Sequence, residues 1–244
     1  MTERTTSAAP TTDFEPTNRV EPTSRAAPTT IAEQVEAALA AAADNDGIIP
    51  IVEAGHPVLR QPTEEVDGQV DDATLQELAA AMRATMQAAP GVGLAAPQVG
   101  ISLRMFVIED PAPVLGEVAR IRERTPTPFA AIVNSRYRAV GDEQVAFYEG
   151  CLSIPGYQAV VARPRTIELT GHHLGGGSIE REITGWEARI VAHETDHLDG
   201  VLYTDLAEMR SLATSAQVAR WWSQPSAAEA ARALGFDLPD SPIL

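Results

Sequence analysis

The sequence predicts an α+β domain, on three observations. Six short β-rich runs, at residues 105–108, 131–134, 144–148, 160–162, 166–169 and 179–183, are separated by Gly, Pro and polar clusters. An amphipathic helical pattern precedes this block and another follows it. The helices bracket the strands instead of alternating with them, which argues against βαβ repetition.

Taken in order, residues 1–30 are rich in Thr, Pro, Ala and Ser and poor in large apolar residues. Such a stretch cannot bury enough surface to offset its ordering entropy, so disorder is expected there. Residues 31–43 suit an Ala-rich helix, with Ile31, Val35 and Leu39 at i, i+4 spacing, ended by Asn45-Asp46-Gly47. A domain boundary is expected at this point, with an N-terminal extension over 1–47, a folded domain over 48–222 and a C-terminal tail over 223–244. Asp71 and Asp72 offer a helix N-cap. Behind them Leu75, Leu78, Ala79, Met82 and Met86 form an apolar stripe that Pro90 and Gly91 stop. After the strands, Thr184-Gly185-Trp186-Glu187 has capping-box spacing. A helix starting there aligns Trp186, Ile190, His193 and His197, with Gly200 as its left-handed cap. A last helix is expected over residues 207–222.

Composition narrows the function classes. At 244 residues, 44% hydrophobic and 21% charged, the chain is an ordinary globular protein. No apolar run approaches the roughly 20 residues needed to span a bilayer. The opening residues lack the basic and apolar regions of a secretory signal, so a cytoplasmic location is expected and no membrane partner. The net charge of −16, with every basic residue an Arg, opposes binding to phosphate backbones. Arg120, Arg122 and Arg124, diluted by Glu117 and Glu123, read as a solvated polar turn. The single cysteine, Cys151, excludes an intrachain disulfide.

The sharpest chemical signal is HETDH, residues 193–197. On a helix, i and i+4 point the same way, so His193 and His197 can share one metal ion while Glu194 handles the proton of a water. Chance produces this pattern in on the order of one in a hundred such sequences. A catalytic centre of this type wants a third protein ligand. Tyr203 stands where a metzincin has its third His, and Glu208 lies too close to serve as a distant carboxylate ligand. The strongest remaining candidate is Cys151, in the polar corner YEGCLSIPG. In GVGLAAPQVG, residues 91–100, the small residues Gly91, Gly93, Ala95 and Ala96 let backbone approach a substrate closely. Gln98 adds an uncharged donor of the kind that stabilises an oxyanion. A thiolate with two imidazoles suits iron(II), zinc or nickel.

GVGLAAPQ, EGCLS and HETDH, in this order and at these separations, resemble the signature motifs of the peptide deformylase family. The resemblance takes in GHPVLRQP near residue 55 and covers roughly residues 49–206. It implies a peptide-deformylase-like α+β fold, with short antiparallel and mixed strands around the central HExxH helix. It also implies removal of the formyl group from the N-terminal formyl-methionine of new polypeptides. Carried onto this chain, it makes Cys151, His193 and His197 the metal ligands and Glu194 the general acid and base. Gln98 and the backbone N–H of Leu152 become the oxyanion hole, and the backbone at Gly91 and Gly93 pairs with the substrate as an added strand. It favours Fe(2+) over zinc, nickel or cobalt, and implies N-formylmethionyl nascent peptides as partners, with a transient ribosome contact. Arg163 and Asp196 occupy the positions of a brace for the helix. Two positions depart from the pattern: Ala192 replaces a usual Gln, and Gln158 stands where some members carry Arg. The segment from Asp205 to Leu244 has three Arg against five acids, so a basic ribosome-docking helix is not evident.

Three other readings compete. A zinc endopeptidase would share HExxH but needs a downstream ligand that is not visible. A non-catalytic metal protein would have a closed site and no use for Glu194 and Gln98. A repurposed deformylase fold would differ only in its pocket, for which Trp186 and Arg189 are the positions to inspect.

Overall fold

The structure, a computed structural model, describes residues 30–111 and 116–240. The disorder expected for the start of the chain falls outside them except at Thr30. That residue caps helix α1 (Ile31–Ala43): its hydroxyl accepts from Glu33 N–H at 3.2 Å, and Glu33 Oε2 accepts from Thr30 N–H at 2.8 Å. Helix α2 (Asp72–Ala88) begins at the expected N-cap, with Asp71 Oδ1 accepting from Ala73 and Thr74 N–H. Its predicted stripe of Leu75, Leu78, Ala79, Met82 and Met86 is buried throughout.

The expected boundary at residue 48 does not mark the edge of packing. Ile31, Val35, Ala38 and Ala42 of α1 share one apolar cluster with α2 and with Leu94, Met105, Val107 and Val133. The period that makes 31–43 helical also produces an apolar face, and α2 supplies the surface to bury it.

Strands β1 (Gly93–Ala95), β2 (Met105–Asp110), β3 (Thr127–Ala139), β6 (Thr166–His173) and β7 (Ser178–Thr184) form a five-stranded sheet in the order β1-β2-β3-β6-β7. Strands β4 (Gln144–Cys151), β5 (Ile154–Pro164) and β8 (Ala207–Thr214) form a second sheet. All ladders between these strands are antiparallel. The expected mixture is confined, among the described residues, to one isolated parallel bridge, Glu64 to Leu103. Alternation along β2 divides the core. Met105 and Val107 face α1 and α2, while Phe106 and Ile108 face the helix that carries HETDH.

That helix, α3 (Gly185–Leu198), packs against strands of both sheets. Its start corrects the expected capping box. Thr184 caps it without a side-chain bond, because the Thr184 hydroxyl bonds Thr166 (3.0 Å) across the β6–β7 ladder and Glu187 pairs with Arg181. Its end is held from outside: the Leu198 carbonyl accepts from Thr63 N–H and Oγ1, both at 2.9 Å. Gly200 follows at φ +76°, and a Cβ there would stand 2.8 Å from the Arg60 carbonyl carbon, so only glycine passes.

The C-terminal part departs furthest from expectation. Residues 207–214 are strand β8, paired with β5, and helix α4 (Ser215–Trp221) starts only afterwards. The supposed tail carries helix α5 (Ala228–Leu234), whose Ala230 packs with Val218 of α4 onto Ala146, Tyr148 and Val160. Nor are all of the arginines at 120–124 solvated. Arg124 chelates buried Asp110, and Arg122 lies over the rings of Phe147 (5.4 Å) and Trp186 (5.1 Å).

Candidate metal centre and active site

Two distant elements meet at the site. The β4–β5 hairpin turns immediately after Cys151, presenting the thiol at its tip. Buried helix α3 presents His193 and His197 one turn apart, their ring centroids 5.1 Å from each other. One donor atom from each of the three residues lies within 4.8 Å of the others, and Cys151 Sγ is 3.2 Å from His197 Nε2. The set fits a four-coordinate ion, whose donors stand roughly 3.3–3.8 Å apart for bonds of 2.0–2.3 Å, after small side-chain adjustments. Tyr203 stacks on the His193 ring, the ring centroids 6.3 Å apart, and its hydroxyl donates to the Tyr157 carbonyl.

Beside these donors Glu194 is almost wholly buried, and its Oε2 has no hydrogen-bond partner among the described residues. Burial pushes its pKa up to about 7, against the opposing pull of His193. A carboxyl group so placed can take and return a proton near neutral pH. Room for it comes from Gly93, where a Cβ would stand 2.3 Å from Glu194 Oε1. Gly91 makes similar room, its missing Cβ lying 2.9 Å from Leu152 Cδ1. Both glycines thus serve the protein's own packing as well as line the cavity. Gln98 is buried with its amide orientation set: Oε1 accepts from Ala95 N–H at 2.8 Å, so Nε2 is directed at Cys151 Sγ, 3.5 Å away.

The sequence reasoning missed Glu149. It is buried and chelated by Arg163, with Nε to Oε1 at 2.7 Å and Nη2 to Oε2 at 3.0 Å. Arg189 binds Oε1 as well, and His193 Nδ1 donates to Oε2 at 3.1 Å. Arg163 also reaches Asp196 at 2.7 Å, and Tyr137 donates to the same carboxylate at 2.9 Å. Two arginines thus balance two carboxylates inside the core. Burial alone would raise the Glu149 pKa, but Arg163, Arg189 and His193 hold it well below the carboxylate range. Burial lowers that of Arg189 to about 10. The predicted Arg163–Asp196 brace exists, and Glu149 extends it to the ligand ring itself. The available signal was a charged residue closing the apolar strand VAFY just before a ligand.

A cavity of about 670 Å³ opens over the site. Gly91, Gly93, Gln98, Leu152, Cys151, His193 and Glu194 all line it, so the sequence-predicted residues converge except for His197, which is buried behind. Trp186 and Arg189 line it too.

The sequence profile of the polypeptide deformylase family matches residues 48–212. The chain belongs to the peptide deformylase family. It is 56% identical to peptide deformylase 3 of Streptomyces avermitilis over 86% of this chain and 92% of that one. With the peptide deformylase of Bifidobacterium adolescentis it shares 47% identity over 82% and 92% of the two chains. Among solved structures it resembles a class I type b peptide deformylase from Acinetobacter baumannii bound to Met-Ala-Ser, with a TM-score of 0.59 and 32% identity over 65% of this chain and 98% of that one. The Thermotoga maritima enzyme gives 0.56 and 33% over 66% and 98%. As a deformylase, this chain is a hydrolase that removes the N-formyl group from nascent peptides. None of its helices among the described residues is long and apolar enough to cross a membrane.

Proposed function

We propose that Cys151, His193 and His197 hold the metal of this deformylase and that Glu194 is its general base and acid. The observation that carries the reading is the unpartnered, buried Glu194 Oε2 beside three convergent soft and borderline donors. A bound divalent ion supplies Lewis acidity to the formyl oxygen and makes water acidic enough to react at neutral pH. The thiolate with two imidazoles suits Fe(2+), which the family resemblance favours, with zinc, nickel and cobalt as substitutes.

Each chain residue then has one task. Glu194 accepts a proton from the attacking water and returns it to the departing amine, so that formate and a free N-terminal methionine leave. Gln98 Nε2, held by Ala95, and the Leu152 N–H donate to the oxygen that gains charge as the formyl carbon becomes tetrahedral. Glu149 fixes His193 with Nδ1 protonated, which leaves Nε2 as the ligating atom. The substrate backbone adds to the edge at β1, along Gly91 to Gly93. Gly91 N–H is committed to the Met86 carbonyl, so its offering to a peptide is its own carbonyl. The Acinetobacter baumannii relative with Met-Ala-Ser supports a bound tripeptide. Acting on nascent chains, the enzyme works in the cytoplasm and meets the ribosome only transiently.

The test is anaerobic turnover of formyl-Met-Ala-Ser with metal counted on the same sample. The expected result is formate release with about one metal per chain, abolished in Glu194→Ala while metal is retained. Metal bound without turnover in the unmodified enzyme would leave the metal site standing and refute the catalytic reading.

A further inference from the structure

The family profile stops at residue 212, yet the cavity that holds His193 and Glu194 is also lined by Ser215. This residue opens α4, which follows β8 directly. Its position is fixed from two sides. Strand β8 pairs with β5 so that Gln158 faces Ala213 and Tyr157 faces Thr214. Helix α4 is anchored by Val218 in the cluster with Ala146, Tyr148 and Val160.

The Ser215 hydroxyl accepts from Gln158 Nε2 at 3.2 Å. The Gln158 chain lies flat across Gly150, where a Cβ would stand 3.2 Å from its Cγ, one residue before the ligand Cys151. The amide is therefore held on the cavity wall over the Gly150 backbone and tied to the C-terminal unit. An amide with one N–H engaged keeps a second N–H and its carbonyl, the complement of a peptide group. The cavity's charged residues are otherwise engaged: Glu149 and Arg189 are buried and paired, and His193 and Glu194 belong to the reacting centre. The neighbouring wall is neutral, formed by Tyr157, Gln158 and Ser215.

We propose that Ser215 is a positioning residue for substrate length: by tying down the Gln158 amide, it creates a neutral contact for the backbone of residues downstream of the formylated one. The inference rests on the deformylase reading and deepens it. The C-terminal unit is then part of the active site, and recognition at this point is of main chain and indifferent to side-chain charge.

The test compares kcat and KM for formyl-Met-Ala and formyl-Met-Ala-Ser in unmodified enzyme, Ser215→Ala, Ser215→Thr, Gln158→Ala and the double variant. Ser215→Ala and Gln158→Ala should each raise KM for the tripeptide relative to the dipeptide by about three- to tenfold, the range for one neutral hydrogen bond. The tripeptide-to-dipeptide ratio of kcat should stay constant. Ser215→Thr, which keeps the hydroxyl, should restore the KM ratio. The double variant should do no worse than Gln158→Ala, because both substitutions break one contact. An unchanged KM ratio, or an equal loss on both peptides, overturns the proposal. Should Ser215→Ala fail to fold, Gln158→Ala decides by the same ratio. Absence of formate from the unmodified enzyme with either peptide would instead sink the functional reading.

Discussion

At the scale of single residues, space and charge decide what the site can do. Gly93 is the clearest case, because a methyl group there meets the Glu194 carboxylate at 2.3 Å. Gly93→Ala must push the carboxylate off its position, and a misplacement of about 1 Å costs on the order of a hundredfold in rate. Formate release should fall by about that factor while metal content stays the same, and metal lost in parallel would show that the substitution disturbs the ligands instead. Glu149 is the second case. Its carboxylate faces two buried guanidinium groups and orients His193. Glu149→Gln keeps the shape and removes the charge, which should cost about 3–5 kcal/mol of stability, as for a buried ion pair that loses one partner. Metal affinity should drop about 10–100-fold as His193 loses its brace. Denaturant unfolding and a competitive chelator titration read the two effects separately.

At the scale of elements, α1 is the informative one. It buries Ile31 and Val35 against α2, and each such side chain contributes about 1.5–3 kcal/mol. Removing residues 1–47 should therefore destabilise the fold by about 3–6 kcal/mol in urea unfolding. An unchanged midpoint would mean that α1 is dispensable packing. The opposite lesson comes from β8. AEMRSLAT contains good helix formers and no Gly or Pro, and read locally it predicts a helix. Pairing with β5 overrides that preference, and Ser211 reinforces it by accepting from Val160 N–H at 2.7 Å.

At the scale of the whole molecule, charge is the dominant feature. With 34 acidic side chains against 18 arginines, the surface repels itself. Exposed ion pairs such as Arg136–Glu65 offset little of this, since each contributes about 0–1 kcal/mol. Salt screens long-range repulsion first, the Debye length shrinking to about 10 Å at 0.1 M. Raising salt from low concentration to about 0.5 M should thus raise the urea midpoint. A fall would show that ion pairs outweigh the net repulsion.

What the sequence by itself determined is whatever short-range spacing encodes. The i, i+4 pair in HETDH, the stripe and N-cap of α2 and the period of α1 each specify a helix and its buried face without reference to the rest of the chain. Cys151 was legible because it is the only thiol and stands in the polar corner YEGCLSIPG. Tertiary structure alone decided what depends on contacts between residues far apart in the chain. Glu149 reaches His193 across 44 positions, and the Gln158–Ser215 bond spans 57. Gly93 makes room for a carboxylate on another element, and the helical preference of residues 207–214 yields to strand pairing. The physical reason is common to all of these. Periodicity records which face an element turns inward, but which partner waits on the other side is set only when the two sheets close around α3.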